Sequence, residues 1–468
     1  MQASNAAKGI ERQWAVGKEA SRQVGKSVNH HSSTITHNFS YTCAMKCLYA
    51  IFILFCFSAS AQRMPDVIYM SNIKTVKLFQ LNNQESLPVI RLNSADQVEL
   101  HFDDMDAYAK SYYYTFQLCN ADWSEADLSP FDYLKGFQNQ QIFQYRQSSV
   151  TLSKYMHYQV VLPESNCVPT KSGNYLLKIF LDGDTSKLAF TKRFFVVSSK
   201  AGVGGVISQP FNNQLYNSHQ KIQFSVNASV LNPMNPQQQI NVVVMQNYRW
   251  DNIVTNIQPA FIRDNILEYN GEEDCLFPAG KEYRWADLRS FRFESERVAK
   301  VNRAVQPNEL YLFPDGPRTR QGYLYMKDYN GWFDVSVTES INPWWQSDYG
   351  NVHFTFVPEN HQPYTGKNVY LMGELTGNNT ADDALMQYNA DKGVYEKTLL
   401  LKQGYYNYTY ATKDMNAKSA AADVALTDGN YWETENDYTI FVYYRSLSGR
   451  HDELVGFTTI NSLHGRGQ

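Results

Sequence analysis

From Gln62 onward, apolar and polar residues alternate with period two, the pattern of strands buried on one face. In "DQVELHF", Val98, Leu100 and Phe102 share a face, which leaves Glu99 and His101 on the other. "NYLLKIFLDGDTSKLAFTKRFFVV" (Asn174 to Val197) predicts two strands joined at Asp182-Gly183-Asp184, where glycine supplies the turn. "KIQFSV" alternates from Ile222, and "INVVVMQN" predicts a denser apolar strand. "NPMNPQQQ" between them reads as a loop, because two prolines remove ladder donors. "FESERVAKVNRA" predicts a short helical turn. Further strands follow in "KNVYLMGELTGNN", "GVYEKTLLLKQGYYNYTYAT" and "DYTIFVYYR", with Gly373, Gly377, Gly393 and Gly404 at turns. "SSKAGVGGVISQP" is small and flexible, so "GVGGV" (Gly202 to Val206) is expected to be a linker at a domain boundary. The fold class expected is all-β, with three tandem Ig-like β-sandwich domains at 62–199, 200–349 and 350–462, and a tail at 463–468.

One segment breaks the pattern. "MKCLYAIFILFCFSASAQ" (Met45 to Gln62) has one basic residue, an apolar run from Leu48 to Phe57, and Ala59-Ser60-Ala61 before Gln62. The run is about half the ~20 residues that a membrane-spanning helix needs, and the small-residue ending suits signal peptidase. The expectation is a cleavable signal peptide at 45–61, with cleavage marked by Ala59, Ala61 and Gln62. Residues 1–44, polar and without periodicity, read as an extension ahead of a true start at Met45.

Composition narrows the function classes. A net charge of −4 offers no basic footprint for nucleic acid, and no polybasic cluster points to an anionic membrane surface. Aromatics make up 14% of the chain, 33 of them Tyr, which favours β structure. After the signal, Cys119, Cys167 and Cys275 remain. They are too few for a disulfide framework and wrongly spaced for zinc; one bridge and three buried thiols both stay open. No later apolar run could span a membrane as a helix.

The search for chemistry finds no nucleophile elbow, zinc-protease motif, phosphate loop or dinucleotide fingerprint. No enzyme activity, metal or cofactor is expected. Asp103, Asp104 and Asp106 in "DDMD" could meet calcium, but no ligand set of EF-hand spacing accompanies them. A solvated loop at a strand end is the expectation. His101, His157, His219, His353, His361, His451 and His464 are scattered, each expected to be an ordinary polar residue. "YYNYTY" puts Tyr406, Tyr408 and Tyr410 on one face, with cross-strand packing expected ahead of sugar stacking. Trp344 and Trp345, adjacent after Pro343, should face opposite ways on a strand, and with Tyr431 and Trp432 they are the candidate partner-interface residues.

Four long strings carry a resemblance: "YYYTFQLCNADWSEADLSPFDYLKGF" from Tyr112, "EYRWADLRSFRFESERV" from Glu282, "WWQSDYGNVHFTF" from Trp344 and "GNYWETENDYTIFVYYR" from Gly429. The chain from Gln62 resembles the plug protein family of the type IX secretion system of Bacteroidota. The resemblance implies a non-enzymatic periplasmic protein that binds the periplasmic end of an outer-membrane translocon barrel and closes its lumen, with no cofactor. The last block also resembles Ig-like early-set domains found beside glycogen-active enzymes, through "VYLMGELTGN" and "GYYNYTY". That second likeness implies the alternative of a glycan-binding module, or weak glycan binding beside the plug role.

Overall fold

The computed structural model describes residues 65–417 and 421–463. The segments 1–44 and 45–61, with Ala59, Ala61 and Gln62, lie outside the described residues, as does the tail beyond Leu463.

The alternation in the first block builds two facing sheets. One runs Val67–Ile68, Leu188–Val197, Gly173–Leu181, Tyr112–Cys119 and Gln140–Gln141, with Val89–Arg91 parallel to Leu188–Val197. The other runs Ile73–Gln80, Val98–Asp104, Met156–Leu162 and Gln144–Gln147. Their inner faces share one hydrophobic core that includes Leu100, Phe102, Tyr114, Phe116, Leu177 and Phe194. The hairpin expected at Asp182-Gly183-Asp184 is present, with Gly183 at φ +71°, a conformation that glycine adopts without strain.

A second core lies between two further sheets. Gly202–Ser208, His219–Asn227, Ile266–Tyr269 and Phe261–Arg263 form one, with Leu276–Pro278 beside His219–Asn227. Ile240–Gln246, Asp437–Tyr444 and Glu453–Asn461 form the other. The "GVGGV" stretch is therefore not a linker. Its backbone is held along its whole length by His219–Asn227, and glycine suits the close approach of Ile460 over Gly205.

A third core draws on Arg284–Asp287, Tyr405–Asp414, Phe333–Asp334 and Lys367–Met372 on one side. Val298–Asn302, Asn308–Leu312, Tyr349–Phe356, Val394–Lys402 and Gln387–Asn389 make the opposite sheet. Gly404 turns the Val394–Lys402/Tyr405–Asp414 hairpin where a Cβ would meet the Asp334 carbonyl oxygen at 2.3 Å.

Strand pairing cuts across the sequential boundary expected at 349/350. Arg284–Asp287 pairs with Tyr405–Tyr408, whereas Asp437–Tyr444 returns to pair with Ile240–Gln246. The third core is thus inserted between strands of the second, an arrangement that period-two patterning cannot reveal because it carries no pairing information. Two local expectations also change. "FESERVAKVNRA" holds the strand Val298–Asn302 rather than a helical turn, since paired apolar Val298 and Val301 meet the core. The "NPMNPQQQ" loop contains one helical turn, Pro236–Gln239, with proline at its first position. Cys119, Cys167 and Cys275 are all free and buried.

Candidate functional site at the seams of the first core

Both outer faces of the first core are covered. On the side of Leu188–Val197, Phe195 and Val197 meet Val243, Met245, Phe441 and Tyr443 of the second core's sheet. The Phe195 and Phe441 rings stack at 5.0 Å, and Trp250 stacks on Phe195 at 6.0 Å. Arg193, paired with Asp66, lays its guanidinium over the Trp250 ring at 4.1 Å. This seam is apolar and aromatic, a surface whose burial is favourable without fixing direction.

The other seam is built from charges. On Val98–Asp104, the residues that alternation turns away from the core are Glu99, His101 and Asp103, and on the paired strand His157 lies opposite Asp103. His101, Asp103 and His157 do not meet water. Asp103 Oδ1 lies 2.7 Å from His157 Nδ1, and Asp103 Oδ2 lies 2.5 Å from Lys402 Nζ and 2.5 Å from the Tyr349 hydroxyl, both supplied by the third core. Tyr349 shares a 2.6 Å hydrogen bond with Thr75, which a bulge at Lys74–Lys77 holds at φ +49°. A β-branched residue rarely adopts that conformation, so the bulge is a cost carried to aim Thr75 at the seam. Nearby, fully buried Lys77 pairs with Glu374 at 2.8 Å, donates to the Phe333 carbonyl, and sits 4.1 Å from the Phe333 ring centre.

Electrostatics fix the proton positions. Burial pushes the Asp103 carboxyl up, but Lys402 and then His157 outweigh it and hold it below the ordinary range. Burial depresses His157 to about 4, so its ring is neutral at pH 7. Neutral His157 donates from Nδ1 to Asp103, which leaves Nε2 to accept from His101 Nδ1 at 3.1 Å. His101 Nε2 then faces Glu99 Oε2 at 3.2 Å, a contact that becomes a hydrogen bond only when one of the two carries a proton. Burial lowers the pKa of His101 as well. The seam is a relay of hydrogen bonds from His101 through His157 and Asp103 to buried Lys402, with part-exposed Glu99 beside its outer end.

The expected solvated aspartate loop is corrected here. Asp103 lies in the seam, and buried Asp104 accepts from Tyr112 and Asn72 and pairs with Lys110. Asp106 also pairs with Lys110, at 2.5 Å. His101 and His157, 56 positions apart, come together on neighbouring strands. The missed signal was a strand whose polar face is richly ionisable. Among the described residues no group of three His, Cys, Asp or Glu is arranged for a metal.

The four candidate interface aromatics all serve internal joints. Trp344 and Trp345 do not lie on a strand. Pro343–Gln346 is a single helical turn, with proline at its start and the Asn342 side chain accepting from the Trp344 N–H at 2.9 Å. Trp344 stacks on His101 at 3.8 Å and on Phe79 at 6.0 Å, and its carbonyl accepts from Lys402. Trp345 carries the Arg146 guanidinium over its ring at 4.7 Å, and its carbonyl accepts from the Ser149 N–H. Tyr431 lies under Lys281 and stacks on Tyr323, while Trp432 packs against the second core. Tyr406, Tyr408 and Tyr410 are buried and present no face to a sugar.

A different cluster sits between the second and third cores. Glu282, Asp328, Glu435 and Asp437 converge around Asn330, whose amide donates to Glu435 and Asp437, and Tyr323 donates to Glu282. Burial raises Asp328 to about 7 and pushes Glu282 and Glu435 upward, with neighbouring carboxylates adding to the shifts of Asp328 and Glu435. Here like charges face one another.

Comparison with known proteins bears on this geometry. A profile for the "Type 9 secretion system plug protein 1st domain" matches residues 73–198, the strands of the first core. The chain belongs to the type 9 secretion system plug protein family. This plug-family chain is also 32% identical to a hypothetical protein from Parabacteroides merdae ATCC 43184, whose crystal structure superposes with a TM-score of 0.81. The match covers 85% of this chain and 98% of that one, so the likeness to that protein extends beyond the first core. No curated protein matches. The plug family is a secretion-system family rather than an enzyme family, and among the described residues no helix is long and apolar enough to cross a membrane.

Proposed function

We propose that this protein is a periplasmic plug that binds the periplasmic end of the type 9 outer-membrane translocon barrel and closes its lumen. The observation that carries the reading is membership of the plug family in a chain whose cores are locked together. From Met64 onward the chain forms one compact unit, and an apolar seam and a charged seam hold the first core in place. A wide barrel is closed by a body that does not deform. The mechanism is steric occlusion, and it asks no chemistry of the plug. Release requires a state of the barrel that binds the plug less well, because a partner shifts an equilibrium only by differential affinity. Export rests on the signal expected at 45–61. Trp344 and Trp345 contribute by fixing the surface beside them.

The test is to tag the chain at its C-terminus in a native host, solubilise the outer membrane gently, and measure what co-purifies and how permeable the deletion strain becomes. The reading expects a stoichiometric barrel component and faster entry of small hydrophilic solutes when the plug is missing. Recovery as a free periplasmic protein, with permeability unchanged by deletion, overturns it.

A further inference from the structure

A groove of about 600 Å³ opens where the first core meets the third. One wall is Val150 and Leu152, and the other is Ile341 with Phe291 at its base. Three of these apolar side chains face water: Ile341 is 100% exposed, Val150 82% and Leu152 52%. The walls are not free to drift apart. Ser149 N–H donates to the Trp345 carbonyl at 2.8 Å, and the N–H groups of Leu152 and Ser153 both donate to Asp348 at 2.9 Å. The groove is therefore preformed, and it exists only while the two cores are docked. Preformed concave surfaces lose little entropy on binding.

Charge narrows the occupant. Arg292 and Arg303 line the groove and are exposed. Arg303 is held there by the Phe291 and Arg292 carbonyls, both at 2.8 Å, and neither guanidinium has a carboxylate partner among the described residues. The groove's own acids are already used: Asp348 in the clamp, Glu339 by Ser290. A fork of guanidinium N–H groups beside an apolar trough matches a carboxylate next to an apolar side chain.

We infer that this groove is a docking site for a segment of a partner protein that presents an apolar side chain flanked by carboxylates. The inference rests on the plug reading in that the translocon is the partner it assigns. It also accounts for Trp344 and Trp345, which hold one wall from behind.

The experiment places a photo-crosslinking p-benzoylphenylalanine at Ile341 or Val150 of the full chain in a native host, with Phe211, 82% exposed elsewhere, as control. Expected are crosslinks from both groove positions, and not from Phe211, to one segment with Asp or Glu within three residues of the crosslinked site. Arg292→Glu and Ile341→Asp, each with an unchanged melting curve, should cut that crosslink at least about tenfold. Crosslinks only to a second copy, to residues 1–63 of the chain itself, to lipid, or to a segment without acids overturn the groove inference. They leave the plug reading intact if the barrel still co-purifies. Conversely, crosslinks to an acidic segment of some other protein, with no barrel recovered, keep the groove and sink the plug reading.

Discussion

The first core touches its neighbours through two seams of opposite character. Toward the second core it offers Phe195 and Val197 to Phe441 and Val243, and the ion pair there, Arg193 with Asp66, lies within the first core against the Trp250 ring. Toward the third it buries Asp103, His157, Lys402 and Lys77. The apolar seam adheres over a range of relative positions, because hydrophobic burial is not directional. The charged seam stabilises little for its area, since desolvating ions offsets most of their attraction. What it adds is register: Asp103 accepts from Lys402 and Tyr349 only when both cores stand in one position. Adhesion comes from one seam and alignment from the other.

Breaking the charged seam should have the largest effect. Lys402→Met leaves Asp103 buried without its cation and should cost about 3–5 kcal/mol, read by urea unfolding. The double variant Asp103→Asn/Lys402→Met should recover most of that loss, and a double variant as unstable as the single one contradicts the pairing. Phe441→Ala should cost about 3–4 kcal/mol through a cavity in the apolar seam, and by the same amount at pH 5 and pH 7.

The pH dependence sharpens the contrast. His157 is depressed from 6.5 to about 4 in the folded chain, so between those values the unfolded chain binds a proton that the folded one refuses. Its contribution is complete above pH 6.5 and is lost as pH falls through about 4, a change of about 3 kcal/mol. His157→Gln should flatten that acid limb in a series of melting curves. The acidic cluster has the opposite sign. Asp328, raised from 3.8 to about 7, binds a proton in the folded chain that the unfolded chain releases, so stability declines as pH rises across that window. Asp328→Asn should stabilise the protein by about 1 kcal/mol at pH 8 and by less at pH 5.

The strands were legible in the sequence because their alternation is regular. Val98, Leu100 and Phe102 turn inward as their spacing requires, and the turn at Gly183 stands where its residues put it. Two kinds of fact were not legible. Alternation says which residues leave the core but not what they meet, so Asp103 read as part of a solvated loop and His101 as an ordinary polar residue although both are buried in the seam. Nor does it say which strand pairs with which, so the return of Asp437–Tyr444 to the second core was hidden by nearly two hundred intervening residues. Trp344 and Trp345 were singled out as candidate partner-interface residues. They anchor the chain to itself, because the Asn342-Pro343 start of a helical turn directs Trp344 onto His101 rather than into solvent.

Calorimetry on the chain from Gln62 at pH 7 tests most directly the claim that two unlike seams make it a single rigid body. The account predicts one transition whose calorimetric and van't Hoff enthalpies agree, and its division into two when Lys402 is replaced by methionine. Two transitions in the unaltered protein, with the first core melting independently of the rest, would contradict it.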